Sequence, residues 1–232
     1  MGHVYLVLAQ SDSSEGGVSL ISLLMAGGLV GYIIMLLSVV AVALVVVHLI
    51  QLREEALAPA ELVEELDAHL RGGRVREALD VCQEEDTECL LTRVMEAGLL
   101  RFTRSAFGAL ELKAALEEAG QAESARLHRA TDGLALIAAI APMLGLLGTV
   151  VGMVGAFDTI SASEGFARPD QLAGDISKAL VTTLMGLSLA IPATAALTYF
   201  RNRIDGLVAH LTDVIESLAS HVDIEPLTQQ SP

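Results

Sequence analysis

Three long stretches of this sequence contain no charged residue, and few folds can accommodate them. They cover residues 16–52, 133–157 and 179–200. A helix needs about 20 apolar residues to cross the hydrocarbon core of a bilayer, and each stretch reaches that length. The alternative, three buried core helices of this kind in one soluble protein, would be very unusual. We therefore expect three transmembrane helices.

The basic residues predict how the chain is oriented. Ten of the 14 Lys and Arg residues lie in 51–132, two lie in 158–178, and residues 1–18 have none. Arg201 and Arg203 follow directly after the third stretch. Cytoplasmic loops carry the excess of Lys and Arg, so the N-terminus is expected outside and the C-terminus inside.

The fold class expected from these patterns is an all-α membrane protein whose three transmembrane helices have long cytoplasmic helical extensions. Leucines at helical spacing in 51–132 and an apolar stripe from Ile204 to Leu218 indicate the extensions. The predicted segments are a periplasmic N-terminal segment (1–17), transmembrane helices (18–50, 133–157 and 179–200), a cytoplasmic helical domain (51–132), a short periplasmic loop (158–178), a cytoplasmic helix (201–223) and a disordered tail (224–232).

Composition argues against several function classes. The net charge is −15, and the chain has no basic stripe that could neutralise the phosphates of a nucleic acid. On one helix, Cys82 and Cys89 would be about 10 Å apart along the axis, which is too far for a disulfide. The sequence has no metal-ligand cluster, nucleophile–base pair or phosphate loop. We expect no catalytic residue, metal or cofactor, and no enzyme activity.

Small residues line one face of the second predicted span. Gly145, Gly148, Gly152 and Gly155 fall within a stripe about 80° wide on a helical wheel. Small residues let membrane helices approach closely, so helix packing alone explains the glycines. Thr149 lies beside the stripe and is expected at the same helix interface. Helix packing is also assigned to one proline in each of the second and third spans: Pro142 and Pro192.

Threonines form a polar stripe on the third predicted span. Thr183, Thr194 and Thr198 lie within about 60° of one another. A polar stripe on a spanning helix should face protein or water, which suggests a pore. Threonine hydroxyls also bond readily to carbonyls of their own helix, and the stripe alone leaves both possibilities open.

None of the predicted spans contains Asp or Glu. A proton pathway needs a group that titrates inside the membrane, so a partner would have to supply the carboxylate. His48 could act as a proton relay or as an interfacial histidine. We favour the interfacial role, because the spans offer it no acidic partner.

Three segments together resemble one known family. They read APMLGLLGTV (141–150), ALVTTLMGL (179–187) and AIPA (190–193). The chain is similar to the MotA/TolQ/ExbB proton-channel family, and to its ExbB and TolQ branch in particular, over nearly its whole length. The combination is specific, whereas a glycine-rich span alone would be weak.

The resemblance implies a pentameric ring in the bacterial inner membrane, with a central pore. Inside the ring would sit a dimer of an ExbD/TolR-like single-span partner, whose membrane aspartates carry the protons. The work would pass to a TonB/TolA-like transducer acting at the outer membrane. The two pore threonines of the family correspond to Thr149 and Thr183, and Thr194 and Thr198 would also line the pore.

One residue departs from the family pattern. Lys178 stands where ExbB and TolQ proteins commonly have a glutamate, five residues before Thr183. A lysine at the pore mouth would oppose cations, unless it pairs with a partner carboxylate or extends outward. The expected function is an ExbB-like motor subunit driven by the proton-motive force and energising TonB-dependent-type transport. The alternatives are a TolQ-like role in envelope integrity and a non-conducting membrane scaffold.

Overall fold

The structure is a computed structural model that describes residues 28–84, 87–105, 108–162 and 169–222. The predicted segment 1–17, the first ten residues of the first span and the tail 224–232 lie outside the described residues. Within those ranges the chain forms eight helices: α1 (Gly28–Gln51), α2 (Glu54–Leu57), α3 (Ala60–Arg71), α4 (Val75–Cys82), α5 (Leu90–Arg104), α6 (Gly108–Ala130), α7 (Asp132–Ala162) and α8 (Pro169–Ser220).

Among the described residues, three helical segments are long and apolar enough to cross a membrane. They are Gly28–Gln51, Leu110–Ala162 and Leu172–Ser220. The expectation of an all-helical chain with three candidate spans is confirmed. Residues 158–178 are more helical than the predicted loop, because α7 continues to Ala162 and α8 already begins at Pro169.

The described residues divide into two compact units. The first unit contains 28–39 and 140–190, and the second contains 40–139 and 191–222. The first unit holds the glycine stripe of α7 and the facing part of α8. The second holds the helices α2 to α6 and the C-terminal half of α8.

Leucines at helical spacing form the core of the second unit. Leu62, Leu66 and Leu70 are buried on α3, which begins after Pro59 and ends at Gly72. Gly73 then has φ +68°, a conformation that favours glycine and turns the chain into α4. Gly98 lets α5 approach α6, since a Cβ there would lie 2.5 Å from Leu116.

The C-terminal half of α8 contributes a buried apolar face to the same unit. Ile204, Leu207, Leu211, Ile215 and Leu218 are all buried. Polar contacts flank this face, with His128 Nε2 3.1 Å from Asp205 Oδ1 and His210 Nε2 3.0 Å from Glu54 Oε1. The stripe read from the sequence is therefore a packing face.

A helix boundary at Thr131 separates α6 from α7. The N–H and hydroxyl of Thr131 both donate to the carbonyl of His128, at 3.0 and 2.8 Å. A helix end leaves its last carbonyls without intrahelical partners. The ring Nε2 of His48 lies 2.9 Å from the carbonyl oxygen of Ala130, the last residue of α6. His48 is thus in hydrogen-bond contact with a carbonyl group at the C-terminal end of α6.

Candidate functional site

The glycine stripe of α7 lies against a face of small residues on α8. A Cβ on Gly145 would come within 3.1 Å of the Thr183 Cα, and one on Gly152 within 2.6 Å of the Ala179 Cβ. A Cβ on Gly148 would overlap the side chain of Thr182. The two backbones approach this closely only because these α7 positions have no side chain.

Hydroxyl groups connect the two helices at the same place. Thr183 Oγ1 donates to the Gly145 carbonyl at 2.9 Å. Thr182, only 3% exposed, donates to the Ala179 carbonyl of its own helix at 2.7 Å and lies 3.5 Å from the Gly145 oxygen. The Gly145 carbonyl thus lies within hydrogen-bond distance of both threonine hydroxyls.

Thr182 and Gly186 belong to this interface, although the sequence reasoning gave neither of them a role. A Cβ on Gly186 would lie 2.6 Å from the Ala141 carbonyl oxygen, so this contact too requires glycine. A signal was present, because Ala179, Thr182 and Gly186 are small residues spaced three and four apart. That spacing mirrors the glycine stripe of α7.

The remaining α7 candidates lie beside the interface. Thr149 is partly exposed, and its hydroxyl donates to the Leu146 carbonyl, three residues earlier on the same helix, at 2.6 Å. A Cβ on Gly155 would meet no atom within 4 Å, so this glycine is not needed for the approach of α8. Pro142 is partly exposed within α7, which runs through it.

The two C-terminal threonines of the predicted stripe, Thr194 and Thr198, belong to the second unit. Thr194 and Thr198 are both exposed, and Thr198 donates to the Thr194 carbonyl at 3.0 Å. Pro192 is exposed within α8. Thr183, in the first unit, is a stripe threonine whose hydroxyl donates to another helix.

Lys178 has a neighbouring carboxylate on α8. Its Nζ lies 3.2 Å from Asp175 Oδ1, three residues earlier, and the lysine side chain is 58% exposed. The other oxygen of Asp175 lies 3.5 Å from Thr159 Oγ1 on α7. The positive charge that replaces the expected glutamate is therefore paired within this chain.

Around Gly145, Gly148 and Gly152, the contacts between α7 and α8 that the structure describes involve hydroxyls, carbonyls and small side chains. The residues of this interface can shape a hydrophobic wall and hold water or a partner side chain by hydrogen bonds. Within the ranges that the structure describes, no group of three His, Cys, Asp or Glu residues could hold a metal.

The sequence of several bacterial proteins is similar to this chain. "Biopolymer transport protein ExbB" of Xanthomonas campestris pv. campestris (strain B100) is 44% identical over 86 residues, which cover 37% of this chain and 34% of that protein. "Biopolymer transport protein exbB1" of Vibrio cholerae serotype O1 is 34% identical over 106 residues, covering 41% and 46%. A "Putative biopolymer transport protein ExbB-like 3" of Synechocystis sp. is 40% identical over 93 residues, covering 40% and 44%. The chain thus spans a third to a half of the length of these relatives.

A family model gives the broader assignment. Residues 86–213, more than half of the chain, match the model described as the MotA/TolQ/ExbB proton channel family. The matched region includes α5, α6, the whole α7–α8 interface and most of α8. The chain therefore belongs to the MotA/TolQ/ExbB proton channel family, with ExbB proteins among its relatives.

Proposed function

We propose that this protein is the ExbB-like ring subunit of a motor driven by the proton-motive force in the bacterial inner membrane. Several copies, five by the resemblance, surround an ExbD-like partner whose single span carries an aspartate. Proton passage through this assembly energises a TonB-like transducer and hence transport at the outer membrane. The protein itself carries out no catalysis.

The observation that carries the proposal is the α7–α8 interface. It places Thr183 in a hydrogen bond to Gly145 on a wall built from small residues. The sequence segments that form this wall contain no carboxylate, so they suit a partner that brings one. A wall of this kind can line a proton path without itself binding the proton.

Exposed apolar side chains support the oligomeric part of the proposal. Leu146, Val150 and Val154 on α7 are each more than half exposed in the single chain. Such a surface needs lipid or further membrane helices against it, and adjacent subunits of a ring would cover part of it.

The carboxylate of Asp175 offsets the positive charge with which Lys178 would oppose cation flow. An isolated lysine at the mouth would repel cations, but Asp175 lies close enough to offset its field. A motor subunit is therefore compatible with a lysine at this position.

Assembly tests the proposal directly. The chain is purified in detergent, with and without a co-expressed ExbD-like protein, and its copy number is read by native mass spectrometry. The proposal expects a ring that gains two partner copies. A ring that never takes up the partner would contradict the motor function and favour the scaffold.

The TolQ-like alternative differs in its transducer. It predicts the same ring and a TolR-like partner, and complementation separates the two. Restored uptake through TonB-dependent receptors in a strain lacking ExbB supports the ExbB-like role, whereas restored detergent resistance in a strain lacking TolQ supports the other.

A further inference from the structure

A small cavity lies in the second unit where two uncharged stretches end. It has a volume of about 230 Å³. Its buried wall is formed by His48, Leu52 and Phe200, and its exposed rim includes Arg53, Tyr199 and Arg203. Pockets for drug-sized ligands run from about 300 to 1,000 Å³, so this cavity suits a headgroup rather than a whole ligand.

The two arginines at the rim have no ion-pair partner in the described part of the chain. Among the residues that the structure describes, no carboxylate forms an ion pair with Arg53 or Arg203, although the chain carries a net charge of −15. Arg201, two residues before Arg203, lies 3.9 Å from Asp132. Two guanidinium groups that share one cavity without an internal partner can bind an external anion, and their planar forks match phosphate oxygens.

The ring of His48, the other polar group in the cavity wall, already has hydrogen-bond partners. The His48 ring nitrogens lie 2.6 Å from the Leu44 carbonyl oxygen and 2.9 Å from the Ala130 carbonyl oxygen. The ring also packs on Phe200, with centroids 5.3 Å apart. His48 therefore fixes the shape of the cavity, and the binding of an anion falls to the arginines and the Tyr199 hydroxyl.

The surface next to the cavity is apolar. Leu49, Ile50 and Tyr199 are 50%, 61% and 58% exposed. They precede Arg53 and Arg203 by a few residues, so the apolar surface gives way to basic charge over about one helical turn. A ligand that fits both features has an anionic phosphate joined to apolar chains, and a membrane supplies such a molecule at this level.

We propose that this cavity binds the phosphate headgroup of an anionic phospholipid, with the acyl chains lying along Leu49 and Ile50. Basic pockets next to membrane helices bind acidic headgroups, and a tyrosine at the interface adds a hydroxyl donor. The site does not depend on whether the chain conducts protons, because no residue of the α7–α8 interface takes part in it.

Native mass spectrometry of the detergent-purified protein tests the site with two lipids of the same acyl chains, phosphatidylglycerol and phosphatidylcholine. We expect phosphatidylglycerol to be retained and phosphatidylcholine to be lost on activation. Each neutralised arginine should weaken retention about 5-fold, and the double substitution Arg53→Gln/Arg203→Gln about 30-fold. Should the double variant fail to fold, the two single variants test the same site, each with the smaller loss of phosphatidylglycerol retention.

A matched control removes the same charge elsewhere. Arg76 and Arg104 are exposed on α4 and α5 and lie outside the cavity, so Arg76→Gln/Arg104→Gln should retain the lipid. Equal loss in both double variants, or equal retention of the two lipids, would overturn the proposal. Inorganic phosphate provides the remaining arm, since displacement of the lipid by millimolar phosphate would reveal a site for the free ion instead.

Discussion

The hydroxyls of Thr149, Thr182 and Thr183 have different bonding partners, although all three lie in the segments that match the family. Thr149 donates to its own helix, and Thr183 donates across to Gly145. Thr182 donates to Ala179 of its own helix at 2.7 Å and lies 3.5 Å from the Gly145 oxygen. The sequence predicted Thr183 from its helical face and from the family pattern. It could not single out Thr182, because burial against Gly148 depends on how the two helices dock.

Replacing Thr183 with valine removes the hydroxyl at almost constant volume. A hydrogen bond contributes about 1 kcal/mol, so partner-dependent proton flux should fall about fivefold while the ring still assembles. Thr149→Val should also lower the flux, because Thr149 is the other proposed pore threonine. The measurement is proton flux into proteoliposomes.

Thr212→Val is the control for these variants. Its hydroxyl bonds to Val208 on the same helix, in the second unit, so flux should be unchanged. Normal flux in both Thr149→Val and Thr183→Val would remove these residues from the pathway.

The Lys178–Asp175 pair predicts opposite effects for two neutral substitutions. Asp175→Asn leaves the lysine charge uncompensated and should lower flux by up to about fivefold, the range expected of a solvent-exposed pair. Lys178→Gln should leave flux unchanged or raise it. Flux measured against salt concentration checks the cause, because screening should shrink the Asp175→Asn defect. Equal losses in both variants would mean that the pair has a purely structural role.

Cys82 gives a pH-dependent prediction outside the membrane spans. Burial raises the pKa of its thiol from 9.0 to about 12, with further contributions from Glu96 and Cys89. The folded protein therefore keeps this proton where the unfolded chain loses it. The stabilising effect is complete below about pH 9 and is lost as the pH rises towards 12.

Thiol labelling measures the Cys82 effect. In a Cys89→Ser background, native Cys82 should react with iodoacetamide at pH 8 roughly 1,000-fold more slowly than the unfolded chain, because its thiolate fraction is lower by that factor. Serine is suited to position 89, which is the N-cap of α5. Rapid labelling of the folded protein would show that the thiol is not buried in solution.

At the scale of helices, the sequence predicted which segments are apolar and helical better than where they end or how they pair. Charge-free runs located the candidate spans, and the leucine spacing located α3. The boundary between α6 and α7 at Thr131 was not predicted: Gly133 lies two residues after it, but the contact that supports the end of α6 comes from His48, 82 residues before Ala130. The sequence placed four glycines on one face of α7. Only the packing of α8 against α7 shows that a Cβ on Gly155 would contact no atom within 4 Å.

This difference within the stripe predicts three alanine variants. Gly148→Ala and Gly152→Ala place a Cβ against Thr182 and Ala179, so each should destabilise the protein by about 1–3 kcal/mol through overpacking. Gly155→Ala has free space and should be neutral or stabilising by up to about 1 kcal/mol. Thermal unfolding in detergent compares the three, and equal effects at all positions would contradict the close approach of α7 and α8.

At the scale of the whole molecule, hydropathy and charge predicted a multi-pass membrane protein, and the family match agrees. Ring size and partner have no counterpart in the sequence of one chain, because they depend on surfaces that this chain leaves exposed. The orientation with the N-terminus outside likewise stays a prediction from Lys and Arg counts.

Proton flux into proteoliposomes tests the central claim most directly. The vesicles contain this chain alone, the chain with its ExbD-like partner, or the chain with a partner whose membrane aspartate is changed to asparagine. Since the three charge-free stretches of this chain contain no carboxylate, we predict that only the intact pair conducts protons under an applied potential. Equal flux from the chain alone, or from the pair with the asparagine variant, would contradict the account.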